Sequence, residues 1–157
     1  MHKMTPFLWY NGNVAEAMTL YCSVFPDAKV VSTMPGPNGS LMGATFELDG
    51  QRFTAFNGGP DQKLTPAVSM YVNCETQGEV DELWAKLTEG GEESRCGWLI
   101  DRFGLSWQII PSILPALLGD PDREKAGRAM KAMLAMKKID IAALERAAAG
   151  KGGERDD

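Results

Sequence analysis

The sequence predicts an α+β fold of two βαβββ modules forming a cupped mixed sheet, followed by a helical tail. Three observations predict it. Leu8 to Tyr21 (LWYNGNVAEAMTLY) and Tyr71 to Trp84 (YVNCETQGEVDELW) repeat one pattern at a constant offset of 63. Each copy gives an apolar strand and then a helix with its own start signal, N-x-x-E at Asn13 and Glu16 and T-x-x-E at Thr76 and Glu79. Both copies are followed by short strand patterns separated by turn signals, which suits antiparallel-rich α+β layers rather than a parallel sheet.

In chain order, Met4–Tyr10 reads as a strand stopped by Asn11-Gly12. The first helix covers about Val14–Val24. Its stripe of Val14, Ala17, Met18, Tyr21, Cys22 and Phe25 follows the i, i+3, i+4, i+7 spacing, and Pro26-Asp27 ends it. Ala28–Met34 is a short strand. Leu41–Leu48 and Arg52–Phe56 are strands joined by Asp49-Gly50, a strong hairpin signal. Asn57–Pro66 links the halves. Val68–Asn73 is the next strand, and the second helix covers about Gln77–Thr88, stopped by Gly90-Gly91. Short strands near Glu93–Arg95 and Trp98–Asp101 lead through Phe103-Gly104 into Leu105–Ile110. The expected organisation is paired modules over 1–115 (about 4–58 and 67–111), a helical extension over 116–150 and a disordered tail over 151–157. In the extension, Asp120 caps a helix that has Pro121 at its first position, and Asp140 starts another. The Met130–Met136 stripe packs on its own domain or on a partner subunit.

Sixteen Lys and Arg against 21 Asp and Glu leave a net charge of −5. That balance excludes a nucleic-acid partner, which needs a basic face. No apolar run reaches the ~20 residues of a membrane helix, and the N-terminal residues lack a signal-peptide pattern. The expectation is a cytoplasmic protein with no membrane partner. Cys22, Cys74 and Cys96 are far apart, with no C-x-x-C, and read as reduced thiols. His2 is the only histidine. Ser-His and Cys-His nucleophiles and multi-histidine zinc sites therefore lack their parts.

Several strings together carry a resemblance: PFLWYNGN at Pro6–Asn13, VNCETQ at Val72–Gln77, GGEE at Gly90–Glu93, CGWLIDRFGLSWQ at Cys96–Gln108 and MKKIDIAAL at Met136–Leu144. They resemble the PhnB-like branch of the vicinal oxygen chelate superfamily (glyoxalase/bleomycin resistance), a branch often labelled 3-demethylubiquinone-9 3-methyltransferase. The resemblance implies a cupped sheet around a cleft and a homodimer. It also implies metal-ligand positions in the first and last strands of each module, which map onto Pro6, Thr54, Ser69 and Gln108. Proline, two neutral hydroxyls and an amide are poor donors for a divalent ion, so no metal is expected.

Residues two apart on a strand share a face. With Pro6 and Gln108 turned into the cleft, Leu8, Tyr10, Phe56, Tyr71, Ser106 and Ile110 follow. The candidate ligand-binding residues are Tyr10, Thr54, Phe56, Ser69, Tyr71, Trp98, Ser106 and Gln108. They describe an aromatic, sparsely polar surface suited to a small apolar or aromatic molecule. Leu8 and Ile110 read as core, Arg102 as a surface partner of Asp101 and Cys96 as an inert strand thiol. S-adenosylmethionine sites usually use a glycine-rich strand-to-helix turn. Asn11-Gly12-Asn13 is too poor in glycine for one, and no cofactor is expected. Two readings stand: a binding protein for such a molecule, or an enzyme acting on one, with the family's nominal methyl transfer included.

Overall fold

The structure is a computed structural model that describes residues 2–150. The expected disordered tail at 151–157 lies outside the described residues. The chain divides into two compact units between Pro66 and Ala67.

In the first unit, β1 (Phe7–Tyr10), α1 (Val14–Val24), β2 (Lys29–Pro35), β3 (Leu41–Leu48) and β4 (Gln51–Asn57) follow one another. The sheet order is β1-β4-β3-β2, with β1 parallel to β4 and the other pairs antiparallel. Asp49 and Gly50 both take positive φ in the β3–β4 turn, as a two-residue hairpin requires. One sheet face carries Leu8, Tyr10, Ala44, Phe46, Phe53 and Ala55 and packs with Val14, Ala17, Leu20 and Tyr21 of α1, all buried. Tyr10 and Tyr21 satisfy each other through a 2.9 Å hydroxyl pair.

The second unit repeats the order with β5 (Ser69–Cys74), α2 (Gln77–Thr88), β6 (Glu92–Glu93), β7 (Trp98–Ile100) and β8 (Ser106–Pro111). Its sheet runs β5-β8-β7-β6 with the same mixture of parallel and antiparallel pairs. Val80, Leu83, Trp84 and Leu87 of α2 are buried together with Cys74, Leu99, Trp107 and Ile109. Asp101 is also buried. It accepts hydrogen bonds from the backbone of Phe103 and Leu105 and from Trp107 Nε1, which closes the β7–β8 turn. The expected surface pairing of Asp101 with Arg102 is replaced by this turn, and the Arg102 guanidinium lies 4.8 Å from the Phe103 ring centre.

Three helices complete the second unit: α3 (Ile113–Leu118), α4 (Arg123–Leu134) and α5 (Ile141–Ala148). Ile110, Leu114, Ile139 and Leu144 form a buried cluster, with Met133 and Met136 packed against it. Part of the methionine stripe is thus core of its own unit, while Met130 and Leu134 stay exposed. Gln77 pins this tail to α2. Its Nε2 donates to Ile139 O at 2.9 Å and its Oε1 accepts from Ile141 N at 2.8 Å. Arg128 donates to the last carbonyls of α5, at Ala147 and Ala148. The helix at α4 is capped by Asp122, which accepts from Glu124 N and Lys125 N, and not by Asp120. Asp140 caps α5 as expected.

Two corrections bear on the site. Thr76 caps α2 by accepting from Glu79 N while the Glu79 carboxylate accepts from Glu75 N, but Asn13 makes no side-chain cap. Asn57, at the end of β4, satisfies a different first-turn donor: its Oδ1 accepts from Val14 N at 3.1 Å and its Nδ2 donates to Leu41 O at 3.0 Å. The repeat, moreover, has two offsets. The helices start 63 apart (Val14 and Gln77), but β1 and β5 end 64 apart (Tyr10 and Cys74). Strand pairing agrees, since Phe7 opposes Thr54 as Tyr71 opposes Gln108. Three residues (Asn11, Gly12, Asn13) join β1 to α1, and two (Glu75, Thr76) join β5 to α2. Gly12 takes φ +84°, which fits the extra residue into the turn.

Candidate functional site

A one-residue shift turns every side chain of a strand to the opposite face. The extra loop residue therefore exchanges the two faces of β1 relative to the constant-offset expectation. Tyr10 and Leu8 belong to the α1-facing core, and the assignment of Tyr10 as a cleft residue is corrected. Phe7 and Trp9 take the open face. Nothing in the sequence spacing named these two, although Gly12 was the signal that a turn here differs from its counterpart.

On the first unit's open face, register places Phe7, Thr54, Thr45 and Ser32 in one row. Trp9, Phe56, Gly43 and Met34 form the next. All of these except Trp9 line a groove of about 270 Å³, in which Thr54 and Phe56 both take part. The Phe56 ring contacts Phe7 at 5.9 Å and meets Trp9 edge-on at 5.7 Å. Gly43 opposes Phe56, and a Cβ there would come within 2.8 Å of Ala55 O, so no side chain fills the floor. Trp9 is locked from behind. Its Nε1 donates to Gly59 O at 3.0 Å, and its ring occupies the space a Cβ on Gly58 would need. The polar side chains of the groove are Ser32, Thr33, Thr45 and Thr54, and the Thr45 and Thr54 hydroxyls are 3.0 Å apart.

Beyond the groove, Glu47 holds both Arg52 (3.0 Å) and Lys29 (3.1 Å). The Arg52 hydrogen bond first, and the Lys29 bond second, keep its carboxyl below the usual range.

On the second unit's open face, register brings together Ser69 with Ser106 and Tyr71 with Gln108, and adds Trp98 and Ile100. Gln108 Nε2 donates to Ser69 Oγ at 2.9 Å. Tyr71 is 47% exposed, and partial burial pushes its hydroxyl pKa up. Ser106 is buried, and its Oγ has no hydrogen-bond partner. Cys96 takes φ +59°, and its backbone N–H donates to Met136 O.

The residues mapped to metal positions do not fit a divalent ion. Thr54 Oγ1 is engaged with Thr45, Gln108 with Ser69, and Pro6 offers only a carbonyl that accepts from Thr54 N. The strand counterpart of Ser69 at offset 64 is Thr5, another neutral hydroxyl. Among the described residues, no three of His, Cys, Asp and Glu gather as a ligand set. Neither strand-to-helix turn is glycine-rich.

The sequence pattern of the 3-demethylubiquinone-9 3-methyltransferase family matches residues 2–110. The chain belongs to that family. A PhnB protein of the same family name from Bacillus cereus is 33% identical, and the match covers 71% of this chain and all of that one with a TM-score of 0.67. Two more distant structures show the fold alone. Protein PA1353 from Pseudomonas aeruginosa is 21% identical over 71% of this chain and 98% of its own, with a TM-score of 0.60. The fosfomycin resistance protein FosX from Listeria monocytogenes is 17% identical over 76% of this chain and 98% of its own, with a TM-score of 0.55. No curated protein matches. These neighbours share the glyoxalase/bleomycin-resistance-like fold. The matched region ends at β8, so α4 and α5 lie beyond it. No helix among the described residues is long and apolar enough to cross a membrane.

Proposed function

We propose that this family member binds a small apolar or aromatic molecule without metal assistance, on the open face of its first sheet. The observation that carries the reading is the groove of about 270 Å³, walled by Phe7, Met34 and Phe56 and left open by Gly43. Its size is near the lower end of small-molecule pockets and suits a one- or two-ring compound. Exposed aromatic surface costs free energy in water, and Trp9 and Gly58 hold this surface in place rather than letting it collapse. The second sheet's Tyr71, Trp98 and Gln108 give a similar aromatic and amide-bearing face. No nucleophile–base pair or acid pair stands at the groove, which supports binding over catalysis.

Titration with naphthalene, followed by backbone amide NMR, tests the reading. Saturable shifts at Phe7, Thr45, Thr54 and Phe56 are the expected result. Shifts that never saturate, or that map elsewhere, would reject it. The family name supports a second reading, methyl transfer. Calorimetry with S-adenosylmethionine decides between them, and stoichiometric binding there would displace our proposal. A homodimer is also part of the proposal, supported by exposed Val30 and Val31 on β2. A single monomer-sized species in sedimentation would remove it.

A further inference from the structure

The groove's polar side chains are all neutral hydroxyls, and two of them are paired, which narrows the ligand class. In the Thr45–Thr54 pair one hydroxyl donates to the other. The accepting hydroxyl keeps its own proton, and both oxygens keep lone pairs for a third group. Both residues are half-buried, and the groove is otherwise lined by apolar side chains, the Gly43 backbone and the hydroxyls of Ser32 and Thr33. A pure hydrocarbon seated there would take water from the pair and return no hydrogen bond. An ion fares worse. In the register row of Glu47, Lys29 and Arg52 are both engaged by that carboxylate, and no charged side chain lines the groove. A buried charge without a partner is strongly disfavoured.

We infer that the ligand is an uncharged aromatic molecule bearing one hydroxyl or carbonyl group. Its polar atom bonds to the Thr45–Thr54 hydroxyl pair, and its ring lies against Phe7 and Phe56. This rests on the groove being the binding site.

The test compares naphthalene, 2-naphthol and 2-naphthoate on the full chain at pH 7 by the same NMR titration. The expected order is 2-naphthol tightest, by roughly fivefold (about 1 kcal/mol) over naphthalene, with 2-naphthoate weakest. The Thr45→Val/Thr54→Val double variant removes the naphthol preference and binds naphthalene more tightly than the parent, and its amide spectrum reports that the variant is folded. Thr45→Ser/Thr54→Ser, which keeps both hydroxyls, retains the preference. Equal affinity for naphthalene and 2-naphthol overturns the hydroxyl anchor while the binding reading stands. Tightest binding by 2-naphthoate overturns it in favour of an anion site. No binding by any of the three overturns both.

Discussion

Single residues decide whether the groove exists. Gly58 is one, because a Cβ there would sit 2.0 Å from the Trp9 ring. Gly58→Ala must push the indole away, break its bond to Gly59 O and loosen its edge contact with Phe56. We predict a loss of about 1–3 kcal/mol, the usual cost of overpacking, read as a lower unfolding midpoint together with a shifted tryptophan emission. Cys74 gives a prediction about pH. Burial first, then the charges of Glu79 and Glu75, push its thiol from the ordinary 9.0 up to about 12. The folded state favours the protonated form, so this contribution is complete below pH 9 and is lost as pH rises toward 12. Stability is expected to fall across that window. Cys74→Ala, compared with the parent at each pH, should lose less of it. In native protein Cys74 should also resist iodoacetamide at pH 8.

At the scale of elements, the two βα units differ in how the helix is started. Thr76 caps α2 itself, whereas α1 borrows its cap from Asn57 on β4. Three substitutions separate the cases by thermal melting. Asn57→Ala and Thr76→Ala should each cost about 1 kcal/mol or somewhat more. Asn13→Ala should cost little, since its Oδ1 is buried without a partner. A cost at Asn13 equal to that at Asn57 would reject the borrowed cap. The turn itself is the larger difference. Deleting Gly12 gives the first unit a two-residue turn like Glu75-Thr76. Either β1 keeps its register and α1 is displaced, or β1 slips and buries Phe7 and Trp9 while exposing Leu8 and Tyr10. Both outcomes should unfold the first unit under conditions where the parent is native.

At the scale of the whole molecule, the tail is the part that a module repeat leaves out. The helices α3 to α5 cover Ile110, and Gln77 grips the chain at Ile139 and Ile141 from α2. Gln77→Ala removes two bonds to backbone, and its effect should be local: faster amide exchange at 136–141 with the sheet unchanged. Lys138 and Asp81 add a partly exposed ion pair at 3.0 Å, which is worth little alone. Ending the chain after Pro111 should be far more damaging, because Ile110, buried in that cluster, would face water. A shortened chain melting at the parent's temperature would show that the tail is dispensable to the fold.

The sequence by itself determined the element order of the two modules, the repeat, the helix limits of α1 and α2, and the poverty of metal donors, but not helix α3. Each rests on local periodicity, turn chemistry or residue identity, which a chain carries without its neighbours. The strand faces of Phe56 and Tyr71 were legible through alternation within single strands, whereas Thr54 and Gln108 were reached through the family resemblance. Tertiary structure decided the rest. Whether Tyr10 or Trp9 faces α1 depends on how one extra residue is absorbed between β1 and α1, and only the pairing of Phe7 with Thr54 fixes it. Asn57 as a distant cap, Gln77 as a clamp and the Thr45–Thr54 hydroxyl pair are contacts between residues far apart in sequence or on different strands. Strand register and packing create them, and no local pattern encodes either.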